Sequence, residues 1–272
     1  MEEKVQRLED ILRAYHSILV AFSGGVDSSF LLYMAVRTLG AHNVLAVTAD
    51  SPTYQREHLK EAGQFALECH AEQIIVHTEE MKDVSFVENS ARRCYFCKAE
   101  LFKKLSAIAD ERSIRTIVEG SNADDASDYR PGFGAIDEYG VRSPLKEAGL
   151  TKGEIRALSR RFSLPSWDKP QSACLSSRIP FGVPIDTDKL AKIEQSEAAL
   201  TGLGFRFVRV RLHGDTARIE LEADEMHKLA DPSLRRQVTT QLKKIGFHFI
   251  VLDLECYRPS GLSFNKTDQG AV

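Results

Sequence analysis

A continuous apolar run, Ser17-Ile-Leu-Val-Ala-Phe22, is broken by the polar stretch Ser23-Gly-Gly-Val-Asp-Ser-Ser29 and followed by Phe30-Leu-Leu-Tyr-Met-Ala-Val36. The first run predicts a buried strand, the break a tight glycine turn, and the second run a helix. The alternation then recurs. Asn43-Val-Leu-Ala-Val-Thr-Ala49 predicts a strand, Tyr54 to Cys69 an amphipathic helix, and Gln73-Ile-Ile-Val-His77 another strand. A helix over roughly residues 95–111 and a fourth strand at Thr116-Ile-Val-Glu119 follow, and Val5 to Leu12 has a helical pattern ahead of them all. Strands alternating with helices predict an α/β fold, a parallel sheet with helices on both faces. Ligands of such sheets bind at the carboxyl ends of the strands. The Ser23–Ser29 loop, Ala49-Asp50-Ser51 and Glu119-Gly-Ser-Asn-Ala-Asp-Asp125 all fall there, which predicts one shared site.

The pattern changes past Pro165-Ser-Trp-Asp-Lys-Pro170, where two prolines stop helix propagation. A helix is expected from about Asp186 to Leu203. The strands Phe207-Val-Arg-Val-Arg-Leu212 and Ala217-Arg-Ile-Glu-Leu-Glu222 flank a turn at His213-Gly-Asp-Thr216, and a further helix precedes a strand over Phe247–Leu254. These read as a hairpin within a smaller α+β domain. The expected division is therefore residues 1–170, a nucleotide-binding α/β domain, and residues 171–272, an α+β domain.

With 272 residues and 43% hydrophobic content, the chain can build two modest cores. No apolar run approaches the ~20 residues of a membrane span. The charged start, Met1-Glu-Glu-Lys4, does not resemble a secretory signal, so a cytoplasmic location is expected. Thirty-nine acids against 36 bases give a net charge of −3, which argues against strong non-specific nucleic-acid binding. Five cysteines, an odd count, argue against a disulfide framework in a reducing compartment.

The chemistry-bearing residues begin with the loop. Two adjacent glycines, Gly24 and Gly25, let backbone approach a ligand closely. The hydroxyls of Ser23, Ser28 and Ser29 join the free N–H groups of a helix N-terminus, where positive partial charge favours a polyphosphate. The loop lacks the Walker lysine. Asp27 is a candidate for orienting magnesium; a simple helix N-cap acid is the plain alternative. Cys94-Tyr-Phe-Cys97 places two thiols on one side of a helix start, where thiolate is favoured. Alone, the pair reads equally as packing, redox pair or metal site. A third thiol, Cys174, lies among small and hydroxyl residues in Gln171-Ser-Ala-Cys-Leu-Ser-Ser-Arg178. Three thiolates could hold zinc or three irons of a [4Fe–4S] cluster. Cys69 and Cys256 read as ordinary packing. Arg209 and Arg211 share one strand face, and Arg218 and Glu220 share a face of the paired strand; without further information this reads as a solvated hairpin face.

The loop resembles that of the PP-loop ATP pyrophosphatases. Together with Gly120-Ser-Asn-Ala-Asp-Asp125, Asp128-Tyr-Arg-Pro-Gly132, Cys174-Leu-Ser-Ser-Arg-Ile-Pro-Phe-Gly182 and Val208-Arg-Val-Arg211 with Ala217-Arg-Ile-Glu220, it resembles the LarE-type sulfur transferases over nearly the whole chain. The resemblance implies ATP cleavage to AMP and pyrophosphate, with Mg2+, and replacement of oxygen by sulfur in a pyridinium biscarboxylate mononucleotide during nickel-pincer cofactor synthesis. It implies nucleotide contacts at Ser23, Gly24, Gly25, Asp27, Ser28, Ser29, Ala49 and Gly120, and substrate contacts at Lys98, Ser177, Arg178, Arg209, Arg211, Glu220 and Arg258. Cys174 matches the position that surrenders its sulfur in the single-cysteine branch. Cysteines at both 94 and 97 instead resemble the three-cysteine branch, in which Cys94, Cys97 and Cys174 hold a [4Fe–4S] cluster. The expected partners are that substrate and a second copy of the chain, with neither membrane nor nucleic acid. Rival readings are a tRNA thiolase, an ammonia-dependent PP-loop ligase and a non-catalytic adenine-nucleotide sensor.

Overall fold

A computed structural model of the chain describes residues 1–127, 132–169 and 173–257. The chain divides into two compact units, Met1–Ser172 and Ala173–Val272.

The first unit runs α1 (Glu2–Tyr15), β1 (Ile18–Ala21), α2 (Val26–Leu39), β2 (Val44–Asp50), α3 (Arg56–Glu68), β3 (Glu72–His77), α4 (Val84–Val87), α5 (Arg93–Glu111), β4 (Thr116–Val118), α6 (Phe133–Glu138), α7 (Pro144–Glu147) and α8 (Lys152–Arg161). Its four strands are parallel in the order β3-β2-β1-β4, with Ile18 opposite both Val44 and Thr116. The chemical cause is the continuous apolar character of β1, whose side chains alternate between two covered faces. Ile18 and Val20 pack with Phe30, Leu31 and Met34 of α2 and Leu158 of α8. Leu19 points the other way, into a core with Leu45, Val47, Phe102 and Leu105. The outer strand β3 is less covered, and Ile75 stays 49% exposed. Local signals end and start the helices: Gly40 closes α2 at φ 82°, and a reciprocal capping box of Thr151 and Glu154 opens α8. The fourth strand is shorter than expected. It ends at Val118, and the Glu119 N–H instead bonds to the Arg142 carbonyl, 2.9 Å away.

The second unit opens with a tight 3-10 turn, Leu175–Arg178, followed by α9 (Thr187–Gly202), β5 (Val208–His213), β6 (Thr216–Leu221), α10 (Pro232–Ile245) and β7 (Phe249–Leu252). β5 and β6 form the expected antiparallel hairpin, and β7 adds to β6 in parallel. Asp186 and Asp231 cap α9 and α10 through side-chain bonds to their first turns, and Gly246 ends α10 in the left-handed region at φ 106°. The last strand is shorter than the expected 247–254, because the Phe247 N–H closes the helix end onto the Leu242 carbonyl. No described helix is long and apolar enough to cross a membrane.

β5 departs from the solvated-face expectation. Val210 and Leu212 are buried on one side, and Arg209 and Arg211 are each only 3% exposed on the other. A strand with two guanidiniums at that burial carries charges that must be matched locally.

Candidate active site

In the first unit the polar loop between β1 and α2 has the conformation its glycines permit. Gly24 lies at φ +66°, and a Cβ there would stand 2.9 Å from the Ala62 Cβ. Gly25 is the N-cap of α2 in extended conformation, and a Cβ on it would meet only Ser23 Oγ, at 3.5 Å. The first glycine serves the fold; the second leaves space open in front of the helix N-terminus. Gly120, after β4, comes so close that a Cβ would lie 3.0 Å from the Ser28 amide. The loop is tied internally: the Ser23 and Ser28 hydroxyls are 3.1 Å apart, and Ser28 donates to the Gly25 carbonyl at 3.2 Å. Tyr54 donates its hydroxyl to the Ser23 carbonyl from the β2–α3 connection. Ala49 is half-buried near the end of β2, between the covered strand and the polar Asp50.

Two polar atoms in this cradle, Asp27 Oδ1 and Ser29 Oγ, are buried without a hydrogen-bond partner among the described residues. The other Asp27 oxygen accepts from Lys152 Nζ at 2.5 Å, and the Lys152 amide donates to Asp124 Oδ2 at 2.8 Å. Burial raises the Asp27 pKa, Lys152 opposes the rise, and Asp125 adds to it. A buried carboxylate with one oxygen on a neighbouring ammonium and the other unspent fits the demands of a magnesium ligand. Lys169 extends the positive rim, pairing with Glu61 at 2.9 Å. Lys152, Lys169 and Tyr54 escaped the sequence reading. The capping pattern before Lys152 was visible, but nothing in it announces a contact 125 residues back.

Lys98, on α5, stands 3.7 Å from Glu119 Oε2, with the Phe133 ring centroid 5.6 Å from its ammonium. Glu119 is buried at the end of β4, where its other oxygen accepts from the Ser121 amide and the Ser143 hydroxyl. Cys94 and Cys97 occupy the first turns of α5, the former exposed and the latter half-buried. Cys69 is different: it packs against the larger core, and burial pushes its thiol up to about 11. It is therefore a poor thiolate at neutral pH.

In the second unit Cys174 is exposed at the N-cap of the 3-10 turn. Arg178, 3% exposed, ends that turn. Its Nε donates to Glu197 Oε1 at 2.9 Å and its Nη2 to Glu197 Oε2 at 3.2 Å. Its Nη1 donates to the carbonyls of Ala173 and Cys174 and to Ser177 Oγ. On β5, Arg211 donates to Glu220 and, at 2.9 Å, to the Ser177 carbonyl. Arg218 also donates to Glu220 Oε1, at 3.0 Å, and lies 3.6 Å from Asp253. Arg209 donates to the Tyr257 hydroxyl at 2.8 Å and lies over its ring, 4.4 Å from the centroid.

Four guanidiniums, of Arg178, Arg209, Arg211 and Arg218, thus stand with three carboxylates, of Glu197, Glu220 and Asp253. At Arg209 the pKa is lowered first by burial and then by Arg178 and Arg211, with Tyr257 and Glu197 opposing. A buried cluster of guanidiniums is suited to a phosphate or carboxylate ligand. His213 continues the same strand face, and its pKa is lowered by partial burial, then by Arg218 and Arg211. Arg258 and the Asp128–Pro131 part of the quoted motif lie outside the described residues. Among the described residues no three His, Cys, Asp or Glu side chains stand together as a metal-binding group.

Comparison with known proteins adds the family. The sequence model of the NAD synthase family matches residues 1–190. The chain is 39% identical over 264 residues to an uncharacterized protein of Synechocystis, covering 97% of this chain and 98% of that one. It is 35% identical over 263 residues to the pyridinium-3,5-bisthiocarboxylic acid mononucleotide synthase of Lactiplantibacillus plantarum, covering 97% and 93%. Similarity to the NH3-dependent NAD+ synthetase of Chlorobium phaeovibrioides is 27% over 171 residues and covers only 59% of each chain. The match to the NAD synthase model ends at residue 190, whereas the likeness to the bisthiocarboxylic acid mononucleotide synthase runs through nearly the whole chain, and the chain belongs to the LarE-type sulfur transferases of the PP-loop superfamily.

Proposed function

We propose that the protein uses ATP to replace oxygen by sulfur in the carboxylates of a pyridinium biscarboxylate mononucleotide. The observation that carries this reading is the pairing, in one chain, of a glycine phosphate cradle with an exposed cysteine turn anchored to a buried arginine cluster. A carboxylate is a poor electrophile. Its oxygen attacks the α phosphorus of ATP, the bond to the bridging oxygen breaks, and pyrophosphate departs, leaving an acyl adenylate. Sulfur then attacks the carbonyl carbon, and AMP leaves with the original oxygen.

Within this reading the Ser23–Ser29 loop and Gly120 bind the polyphosphate, Ala49 borders the adenine end, and Asp27 with Ser29 holds magnesium. When bound, magnesium supplies charge neutralisation for the departing pyrophosphate. Arg209, Arg211 and Lys98 serve the substrate's phosphate and carboxylates, Glu220 orients Arg211 beside them, and Ser177 frames the cysteine turn; Arg258 is assigned with them by resemblance alone. The family likeness assigns iron to Cys94, Cys97 and Cys174, and thiolate is the soft donor iron prefers. A [4Fe–4S] cluster on these three thiolates would supply a transferable sulfide, its fourth iron left open. We assign the first unit to nucleotide activation, the second to sulfur transfer, and the reaction to the cytoplasm, as a homo-oligomer.

The test is pyrophosphate release from ATP with and without the pyridinium substrate. Release that depends on that substrate supports the proposal. Release driven by tRNA, or by ammonia with an amide product, would replace it with a rival reading.

A further inference from the structure

Glu197 was not a candidate from sequence, because an acid on an amphipathic helix ordinarily faces water. On α9 it is instead 4% exposed and joins three elements. Both its oxygens accept from the Arg178 fork, and Oε1 also accepts from the Val210 amide of β5 at 3.0 Å, between Arg209 and Arg211. Arg178 spends its remaining reach on the carbonyls on either side of the Ala173–Cys174 bond and on Ser177 Oγ. A guanidinium has five N–H donors. Two go to Glu197 and the two on Nη1 face three acceptors, which leaves one, itself buried. Arg178 therefore has little to offer a substrate anion, in contrast to the substrate contact implied by the family likeness.

We propose that Arg178 and Glu197 are positioning residues that lock the Cys174 turn to the strand carrying Arg209 and Arg211. The pair fixes the height of the Cys174 sulfur relative to the anion forks. The Ser177 carbonyl, held by Arg211, is the second tie between turn and strand. This inference rests on the sulfur-transfer reading and adds to it a division of labour among the arginines: one sets the geometry, and the others meet the ligand.

The test uses full-length protein, chelator-treated for thiol labelling and anaerobically prepared with MgATP and a sulfide source for turnover. Removing one partner of a buried pair endangers folding, whereas replacing both with apolar groups of similar size generally does not. The informative variant is therefore Arg178→Met with Glu197→Leu, with Arg178→Lys as a folded control that keeps the charge and loses the fork. Circular dichroism establishes folding. Iodoacetamide labelling with peptide mass spectrometry gives the Cys174 alkylation rate, and calorimetry gives the affinity for the pyridinium mononucleotide. The proposal expects alkylation about threefold faster or more, sulfur transfer down about tenfold or more, and substrate affinity within about threefold of the parent, a turnover effect rather than a binding effect. Folded variants with unchanged alkylation and turnover would overturn it, as would a tenfold loss of affinity at unchanged turnover. A parent protein that transfers no sulfur counts against the functional reading alone, since the alkylation comparison still decides the clamp.

Discussion

The ammonium of Lys152 lies 2.5 Å from Asp27 Oδ2, joining the first residue of α8 to the first turn of α2 across 125 residues of sequence. The cradle thus holds its own cation against a carboxylate that burial would otherwise push toward protonation. Lys152→Met removes both the counterion and a donor available to phosphate. MgATP binding is expected to weaken by about 1.5–3 kcal/mol, the worth of a charged hydrogen bond, as read by calorimetry. Unchanged affinity would confine Lys152 to a structural pair.

The two loop glycines should separate fold from function. Gly24→Ala combines positive φ with a clash against the Ala62 Cβ, so about 1–3 kcal/mol of stability should be lost in a denaturant melt. Gly25→Val meets no comparable obstacle and should melt near the parent, yet fill the open space before α2 and abolish nucleotide binding. Equal melting of the two variants would contradict this assignment.

Arg209 and Arg211 differ in what their loss leaves behind. Arg211→Met strips Glu220, 4% exposed, of one of its two guanidiniums, so both substrate affinity and stability should fall. At Arg209 burial and two neighbouring cations already work against the charge. Arg209→Met should therefore hold its melting temperature while weakening the substrate, with ATP affinity unaffected. Loss of stability in Arg209→Met without loss of binding would assign it to the scaffold.

His213 makes a pH prediction. Its folded pKa is lowered below 6.5 by partial burial and by the cations of Arg218 and Arg211. Between the folded value and 6.5 the native state binds fewer protons than the unfolded chain, so stability rises with pH across that interval and is flat above it for this group. Proton NMR should give a midpoint below 6.5, and inorganic phosphate on the arginine face should raise it. A midpoint at or above 6.5 in the free protein would contradict the positive field.

Much of this was legible in the sequence, for identifiable reasons. The run Ile18–Ala21 followed by two glycines and a serine-rich helix start admits few folds, and the parallel sheet follows from βα alternation, whereas its order β3-β2-β1-β4 is set by tertiary pairing. The hairpin was readable from Arg209–Leu212 and Ala217–Leu221 around a Gly-Asp turn. The burial of its charged face was not, because period-two alternation assigns charge to solvent and cannot anticipate Glu197 or Tyr257 arriving from outside the hairpin. Lys152 was invisible for the same reason: its role is a tertiary contact.

The most direct test of the central claim is product analysis of one reaction containing the anaerobically prepared protein, a sulfide source, MgATP and the pyridinium biscarboxylate mononucleotide. The account predicts AMP and pyrophosphate by phosphorus NMR and, by mass spectrometry, exchange of one carboxylate oxygen for sulfur; Cys174→Ala should lose the exchange and keep pyrophosphate release. ADP as the main nucleotide product, or AMP formed while the carboxylates remain unchanged, would contradict it.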